Sequence, residues 1–219
     1  MGIVRVKICG LTRVEDVNNA LDCGADAVGF IFGYRDSPRN ISYEKLAELV
    51  RSVPPYVSSV VVSPSSNAQL TKVVSEIGPS YLQLYSKEPR TSGVISANVI
   101  ETIHVGSDNA ALISQCEDLS KSCKALLLDS GVAGRNGNGS SVAAGGTGVI
   151  HDWSLSRRVR EALFPFPLIL AGGLNARNVA DAIHTVRPFA VDVSSGVEAK
   201  PGIKDKTKVR EFIQNAKSA

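Results

Sequence analysis

Short apolar runs rich in Val, Ile and Leu alternate with longer stretches of helical periodicity along this chain, and few folds can accommodate such an alternation. It is the order of βα units around a parallel sheet, whose strands are buried on both faces and therefore read as nearly continuous apolar runs. The predicted strands are Ile3–Ile8, Ala27–Phe32, Val57–Ser63, Ser80–Leu84, Val99–Val105, Ala125–Asp129, Pro167–Ala171 and Ala190–Ser194. Helices are predicted over Val14–Cys23, Tyr43–Val53, Ala68–Ile77, Asn109–Ser120, Trp153–Leu163, Ala176–Thr185 and Lys206–Ala216, with Ser42, Asn67, Asp108 and Asn175 as N-caps. The fourth unit is weak: Lys87–Gly93 holds a proline and little apolar surface, so its helix is expected to be short or absent. About eight such units in 219 residues favour a closed (β/α)8 barrel, an α/β fold formed by residues 1–219 as a single domain, over an open doubly wound sheet.

One segment breaks the rhythm. Gly131–Gly148, made of Gly, Ser, Asn and Ala, is far longer than an ordinary βα loop and is expected to be either a flexible lid or a tolerated insertion.

Composition narrows the function. With 43% hydrophobic and 21% charged residues the chain is globular, and no apolar run approaches membrane-spanning length. The N-terminus lacks the basic-then-apolar pattern of a secretory leader, so a cytoplasmic protein with no membrane partner is expected. A net charge of +3, dispersed along the chain, is too small for a nucleic-acid footprint and favours at most an anionic small molecule. Cys9, Cys23, Cys116 and Cys123 form no CxxC pair, and His104, His151 and His184 stand singly, so neither a metal site nor a disulfide framework is signalled.

Strand parity then sorts side chains. On the first strand Val4, Val6 and Ile8 must meet the helices, which turns Arg5, Lys7 and Cys9 toward the barrel axis. By the same rule Gln83 and Tyr85 point inward on the fourth strand, Asp192 and Ser194 on the eighth, and Asp129 stands at the inner rim of the sixth. Barrel interiors are normally filled with branched apolar residues, so a polar group of Lys7, Cys9, Gln83, Asp129 and Asp192 near one rim is costly unless it serves a site. Cys9, in the turn Cys9-Gly10 beside Lys7 and Arg13, reads as a base or nucleophile with a favoured thiolate, or else as a small buried hydrophobe. Ala171-Gly172-Gly173-Leu174-Asn175 and Asp192 to Glu198 close the last two strands, where (β/α)8 enzymes commonly hold phosphate on backbone N–H groups. Gly172, Gly173, Ser194, Ser195 and Gly196 are the expected grip, with Gly145-Gly146-Thr147-Gly148 a further candidate.

These pieces in this order, with Lys7-Ile8-Cys9-Gly10-Leu11-Thr12, Gly29-Phe30-Ile31-Phe32, Ser37-Pro38-Arg39 and Leu126-Leu127-Leu128-Asp129, resemble the phosphoribosylanthranilate isomerases of tryptophan biosynthesis over nearly the whole chain. The resemblance implies a TIM barrel of the ribulose-phosphate-binding type. It also implies a cofactor-independent Amadori rearrangement of N-(5′-phosphoribosyl)anthranilate to 1-(2-carboxyphenylamino)-1-deoxyribulose 5-phosphate, with a small phosphosugar as partner and a monomer or homodimer as the working form. In that reading Asp129 is the general acid on the furanose oxygen and Cys9 the base at C2′. Arg39 is similar to the arginine that takes the anthranilate carboxylate, and Asp192 lies near the sugar. Gln83-Leu84-Tyr85 departs from the usual Gln-Leu-His, and His151-Asp152-Trp153 from Phe-Asp-Trp. The alternatives are another phosphosugar barrel enzyme, against which the thiol argues, and a non-catalytic phosphosugar-binding protein.

Overall fold

All eight predicted strands form, and they close on themselves. The computed structural model describes residues 3–64, 68–85, 97–105, 111–130 and 151–219. In it β1 (Arg5–Ile8), β2 (Ala27–Ile31), β3 (Ser58–Ser63), β4 (Tyr81–Leu84), β5 (Val99–Val105), β6 (Ala125–Ser130), β7 (Leu168–Leu170) and β8 (Ala190–Val193) pair in parallel in chain order, and β8 returns to β1. Around them run α1 (Val14–Asp22), α2 (Tyr43–Arg51), α3 (Ala68–Lys72), α4 (Leu112–Ser120), α5 (Trp153–Ala162), α6 (Val179–Val186) and α7 (Lys206–Ser218).

Parity divides the core into two layers. Val6, Ile8, Leu82, Leu84, Val191 and Val193 face outward and pack with helix residues Val17, Leu46 and Phe212, while Leu126 and Leu128 meet Leu155 and Val159. Each fully buried Leu or Val of this layer contributes about 1.5–3 kcal/mol relative to exposure. Inside the barrel, Val60, Ile100, Ala125, Leu127, Ile169 and Ala190 form an apolar plug. Beyond that plug, at the end where the strands point their C-termini, Lys7, Cys9, Gln83, Asp129 and Asp192 gather.

Side-chain caps start α2, α5 and α7. Ser42 Oγ accepts from the Lys45 N–H at 3.2 Å, and Asp205 accepts from the N–H groups of Thr207 and Lys208, caps worth about 1 kcal/mol each. Asn175 is a correction. Its side chain accepts from the Arg177 N–H within a turn, and α6 begins only at Val179, because the Asn175 N–H is itself drawn to Asn178 Oδ1. The third helix also departs from expectation: α3 widens into a π-helical turn, Val73–Ile77, that ends at Gly78 with φ +66°. After β8 the chain makes a 3-10 turn, Ser195–Val197, and an antiparallel hairpin of β9 (Glu198–Lys200) and β10 (Ile203–Lys204), neither of which apolar periodicity announces. The caps Asn67 and Asp108, the weak unit Lys87–Gly93, and Gly131–Gly148 with its Gly145-Gly146-Thr147-Gly148 lie outside the described residues. Among the described residues no helix is long and apolar enough to cross a membrane.

Candidate active site at the C-terminal mouth of the barrel

The floor of the mouth is built by strand register. Parallel pairing sets Lys7 of β1 opposite Asp192 of β8, and the Lys7 ammonium lies 3.0 Å from Asp192 Oδ2 while donating to Gln83 Oε1 on β4 at 2.9 Å. All three side chains are buried. Burial pulls the ammonium toward neutrality, but Asp192 and the neighbouring Cys9 outweigh it and hold Lys7 above its ordinary pKa. The cation therefore stays charged, paired with Asp192 and beside Cys9.

Cys9 stands one step above. Gly10, at φ +72°, turns the chain away after β1. On β2, Gly29 leaves the room that Cys9 Sγ fills, since a Cβ there would come within 2.8 Å of the sulfur. The expectation of a favoured thiolate is corrected. Burial is the largest influence and pushes the thiol above its ordinary value with help from Asp192, against the opposing pull of Lys7 and Lys204. Lys7 is the stronger of the two cations at the sulfur, but Asp192 offsets part of its field and the loss of water outweighs the rest.

Asp129, at the end of β6 and three strands round the barrel from β1, has the complementary environment. Burial and the like charge of Asp192 raise its carboxyl to about 6, against the weaker pull of the Ser130 backbone N–H, the Tyr85 phenol and Lys7. Tyr85 donates to Asp129 Oδ2 over a long 3.4 Å and stacks on His104, with ring centroids 5.0 Å apart. His104 escapes a search for clustered histidines, since it stands alone in sequence and joins the mouth only because β5 sets it opposite Asp129. Cys9, Gln83, Tyr85, Asp129 and Asp192 all line one cavity.

The loops after β7 and β8 complete it. Gly172 and Gly173 have φ of +83° and +64°, and with Ser194, Ser195 and Gly196 they line the same cavity. A Cβ on Gly172 would strike Ser130, and one on Gly196 would strike the Leu174 carbonyl, so the two loops touch backbone to backbone. Two polar atoms here, Asp192 Oδ1 and Ser194 Oγ, are buried without a hydrogen-bond partner among the described residues. Such atoms carry a desolvation cost that a polar ligand would relieve.

Arg39 is placed differently from the other predicted residues. It does not line the cavity; its stem passes over Gly10, where a Cβ would be 2.7 Å from Arg39 Cδ and 2.8 Å from Ser194 Oγ. Its Nε and Nη2 donate to the two oxygens of Glu198 at 2.8 and 2.7 Å. Pattern reading gave no role to Glu198, which only ends the Asp192 to Glu198 run, nor to Lys204 of the hairpin, which nothing in its local sequence marks. Among the described residues no group of three or more His, Cys, Asp or Glu side chains is arranged to hold a metal ion.

The mouth thus holds a carboxyl and a thiol in a small polar cavity beside glycine-rich loops, and the chain that builds it is similar to known proteins along its length. Residues 6–215 match the family described as N-(5′-phosphoribosyl)anthranilate (PRA) isomerase. The N-(5′-phosphoribosyl)anthranilate isomerase of Thiobacillus denitrificans is 42% identical over 218 residues, 99% of either chain, and that of Methanocella arvoryzae 38% identical over 222 residues, 98% of this chain and 99% of the other. Among solved structures, the phosphoribosyl anthranilate isomerase of Thermotoga maritima superposes with a TM-score of 0.80 at 36% identity, covering 99% of this chain and 100% of that one. A phosphoribosyl anthranilate isomerase in complex with reduced 1-(o-carboxyphenylamino)-1-deoxyribulose 5-phosphate gives 0.78 at 36% identity, with the same coverage. Matched along its full length in sequence and in backbone, the chain belongs to the phosphoribosylanthranilate isomerase family.

Proposed function

We propose that this mouth isomerises N-(5′-phosphoribosyl)anthranilate, with Asp129 as general acid and Cys9 as general base. The observation that carries the reading is the placement of two proton-transfer groups in one cavity: a carboxyl raised to about 6 on β6 and a buried thiol on β1. Asp129 delivers its proton to the furanose oxygen as the anilino nitrogen lone pair forms the C1′=N bond and the C1′–O bond breaks. The product of that step is an open-chain iminium. Cys9 as thiolate removes the C2′ proton, and the released electron pair forms C1′=C2′ while neutralising the nitrogen. The resulting enolamine tautomerises to the 2-ketone, and no external electron acceptor is needed.

The reactive form carries its proton on Asp129 and not on Cys9. The iminium cation assists, because its charge adds to that of Lys7 and Lys204 beside the sulfur. Gln83 and Asp192 are assigned to the sugar, Tyr85 to the Asp129 carboxyl, and Arg39 to the anthranilate carboxylate. The backbone of Gly172, Gly173, Ser195 and Gly196 with the Ser194 hydroxyl is assigned to phosphate; the unpartnered Ser194 Oγ and Asp192 Oδ1 support both assignments. The reading also puts the protein in the cytoplasm, where buried thiols such as Cys9 and Cys116 stay reduced. The test is direct: fluorescent phosphoribosylanthranilate, generated in situ, should lose its signal when the protein is added. A persistent signal under forming conditions would reject the activity.

A further inference from the structure

Beyond the mouth itself, a buried charged cluster joins Arg39 to the hairpin. Glu198 accepts from Arg39 Nε and Nη2 and from Lys204 Nζ at 3.0 Å, while Lys204 also donates to the Ser194 carbonyl at 2.9 Å. The Gly202 N–H adds a 3.3 Å bond to the same Glu198 oxygen, and Gly202 is held in turn by Thr12. Arg39, Glu198 and Lys204 are all less than a tenth exposed. Two basic groups thus share one carboxylate away from water, an arrangement that leaves hydrogen-bonding capacity on the cationic side for a further anion.

The geometry says where that anion belongs. A guanidinium offers two edges to carboxylates, one made of Nε with a terminal nitrogen and the other of both terminal nitrogens. Glu198 occupies the first, and Arg39 Nη1 makes no hydrogen bond among the described residues. Held by two parallel bonds, the guanidinium plane cannot swing, and the clamp that holds it is anchored to the Ser194 carbonyl at the end of β8. Arg39 Cδ and the cavity-lining Ser194 Oγ meet over Gly10, at 2.7 and 2.8 Å from the point a Cβ there would take, so the guanidinium is carried on a stem that borders the mouth.

We propose that Glu198, anchored by Lys204, is a positioning residue that sets substrate specificity: it fixes Arg39 so that the free guanidinium edge selects a ligand bearing an aromatic carboxylate. This rests on the assignment of Arg39 to the anthranilate carboxylate. A role limited to holding the hairpin would affect all ligands of the mouth alike, whereas a positioning role affects only those with the carboxylate.

The experiment compares two ligands on the whole protein: the reduced product analogue with its ring carboxylate, and the counterpart with a plain phenyl ring. The ratio of their dissociation constants is the carboxylate preference. Arg39→Met should abolish it. Glu198→Gln should lower it about tenfold or more with KM rising more than kcat falls, and Glu198→Asp should restore part of it. The double variant should lose no more than Arg39→Met alone. Affinity for the phenyl ligand reports that each variant is folded, and Glu198→Asp replaces Glu198→Gln should the latter not fold. A wild-type preference in the Glu198 variants, with Arg39→Met deficient, would overturn the inference and leave the Arg39 assignment standing. Equal weakening of both ligands would show a merely structural Glu198 and overturn it too. A full preference in Arg39→Met would remove the assignment itself and the inference with it.

Discussion

Lys7 and Asp192 form a buried ion pair at 3.0 Å across the β1–β8 seam, and this pairing decides the chemistry of the carboxyl three strands away from β1. Had Lys7 neutralised Asp129, that carboxyl would stay ionised through the neutral range and could not act as an acid. With the ammonium committed to Asp192, burial and the Asp192 charge together lift Asp129 to about 6.

Cys9→Ser and Asp129→Asn are each expected to lower kcat by about 100-fold or more while leaving the affinity of the reduced product analogue within about tenfold, because proton transfer is lost and binding is not. Steady-state rates and a binding titration separate the two. Near-native turnover in Cys9→Ser would mean that the base lies elsewhere.

The pH profile of kcat/KM should be a bell. Below about 6 both Asp129 and Cys9 are protonated, no base is available, and the rate falls tenfold for each step of one in pH. Between that value and the raised value of the thiol, the form with the proton on Asp129 and the charge on Cys9 is a constant fraction, so the rate is flat. Above the thiol's range both groups are ionised, and the rate falls again for want of an acid. A profile flat through pH 5 would contradict the Asp129 assignment.

Tyr85→Phe removes a hydrogen bond that favours the ionised Asp129. The acid limb of the profile should then move to higher pH by less than about one, with kcat at pH 8 within about tenfold of the parent. An acid limb that does not move would assign it to another group.

Asp129 should also cost stability. Its folded pKa of about 6 lies above the ordinary 3.8, so its favourable contribution is complete below about pH 4 and is lost as pH rises through 6. At pH 8 the buried anion costs about 3 kcal/mol, because each tenfold change in proton affinity is worth about 1.4 kcal/mol. Asp129→Asn, inactive as an enzyme, is therefore expected to melt several degrees higher than the parent at pH 8 and at about the same temperature at pH 4. Thermal melts at both pH values check this, and an equal difference at each would contradict it.

Inorganic phosphate or sulfate should compete with substrate and bind the loops after β7 and β8. Crystals grown in sulfate would show the anion on the Gly173 and Ser195 N–H groups. Density over another loop, with those amides vacant, would reject the phosphate assignment.

Much of this was legible in the chain, for one reason. Strand periodicity is a local property, and a parity read from Val4, Val6 and Ile8 is enough to turn Lys7 and Cys9 inward and, strand by strand, to gather Gln83, Asp129 and Asp192 at one rim. Glycines needed for left-handed turns likewise mark the loops at Gly10 and Gly172-Gly173 wherever they occur. The helix start at Val179 was less legible, since Asn175 Oδ1 accepts from the Arg177 N–H in a turn while the Asn175 N–H donates to Asn178 Oδ1.

The barrel, the inward set of polar residues and the family all follow from short-range pattern and the order of motifs along the chain. Charge does not. The cost of an ion depends on every group around it in three dimensions, so burial outweighed Lys7 at Cys9, and Asp192 raised Asp129 from two strands away. For the same reason Glu198, 159 residues from Arg39 along the chain, could be recognised as its partner only once the barrel had brought the two together.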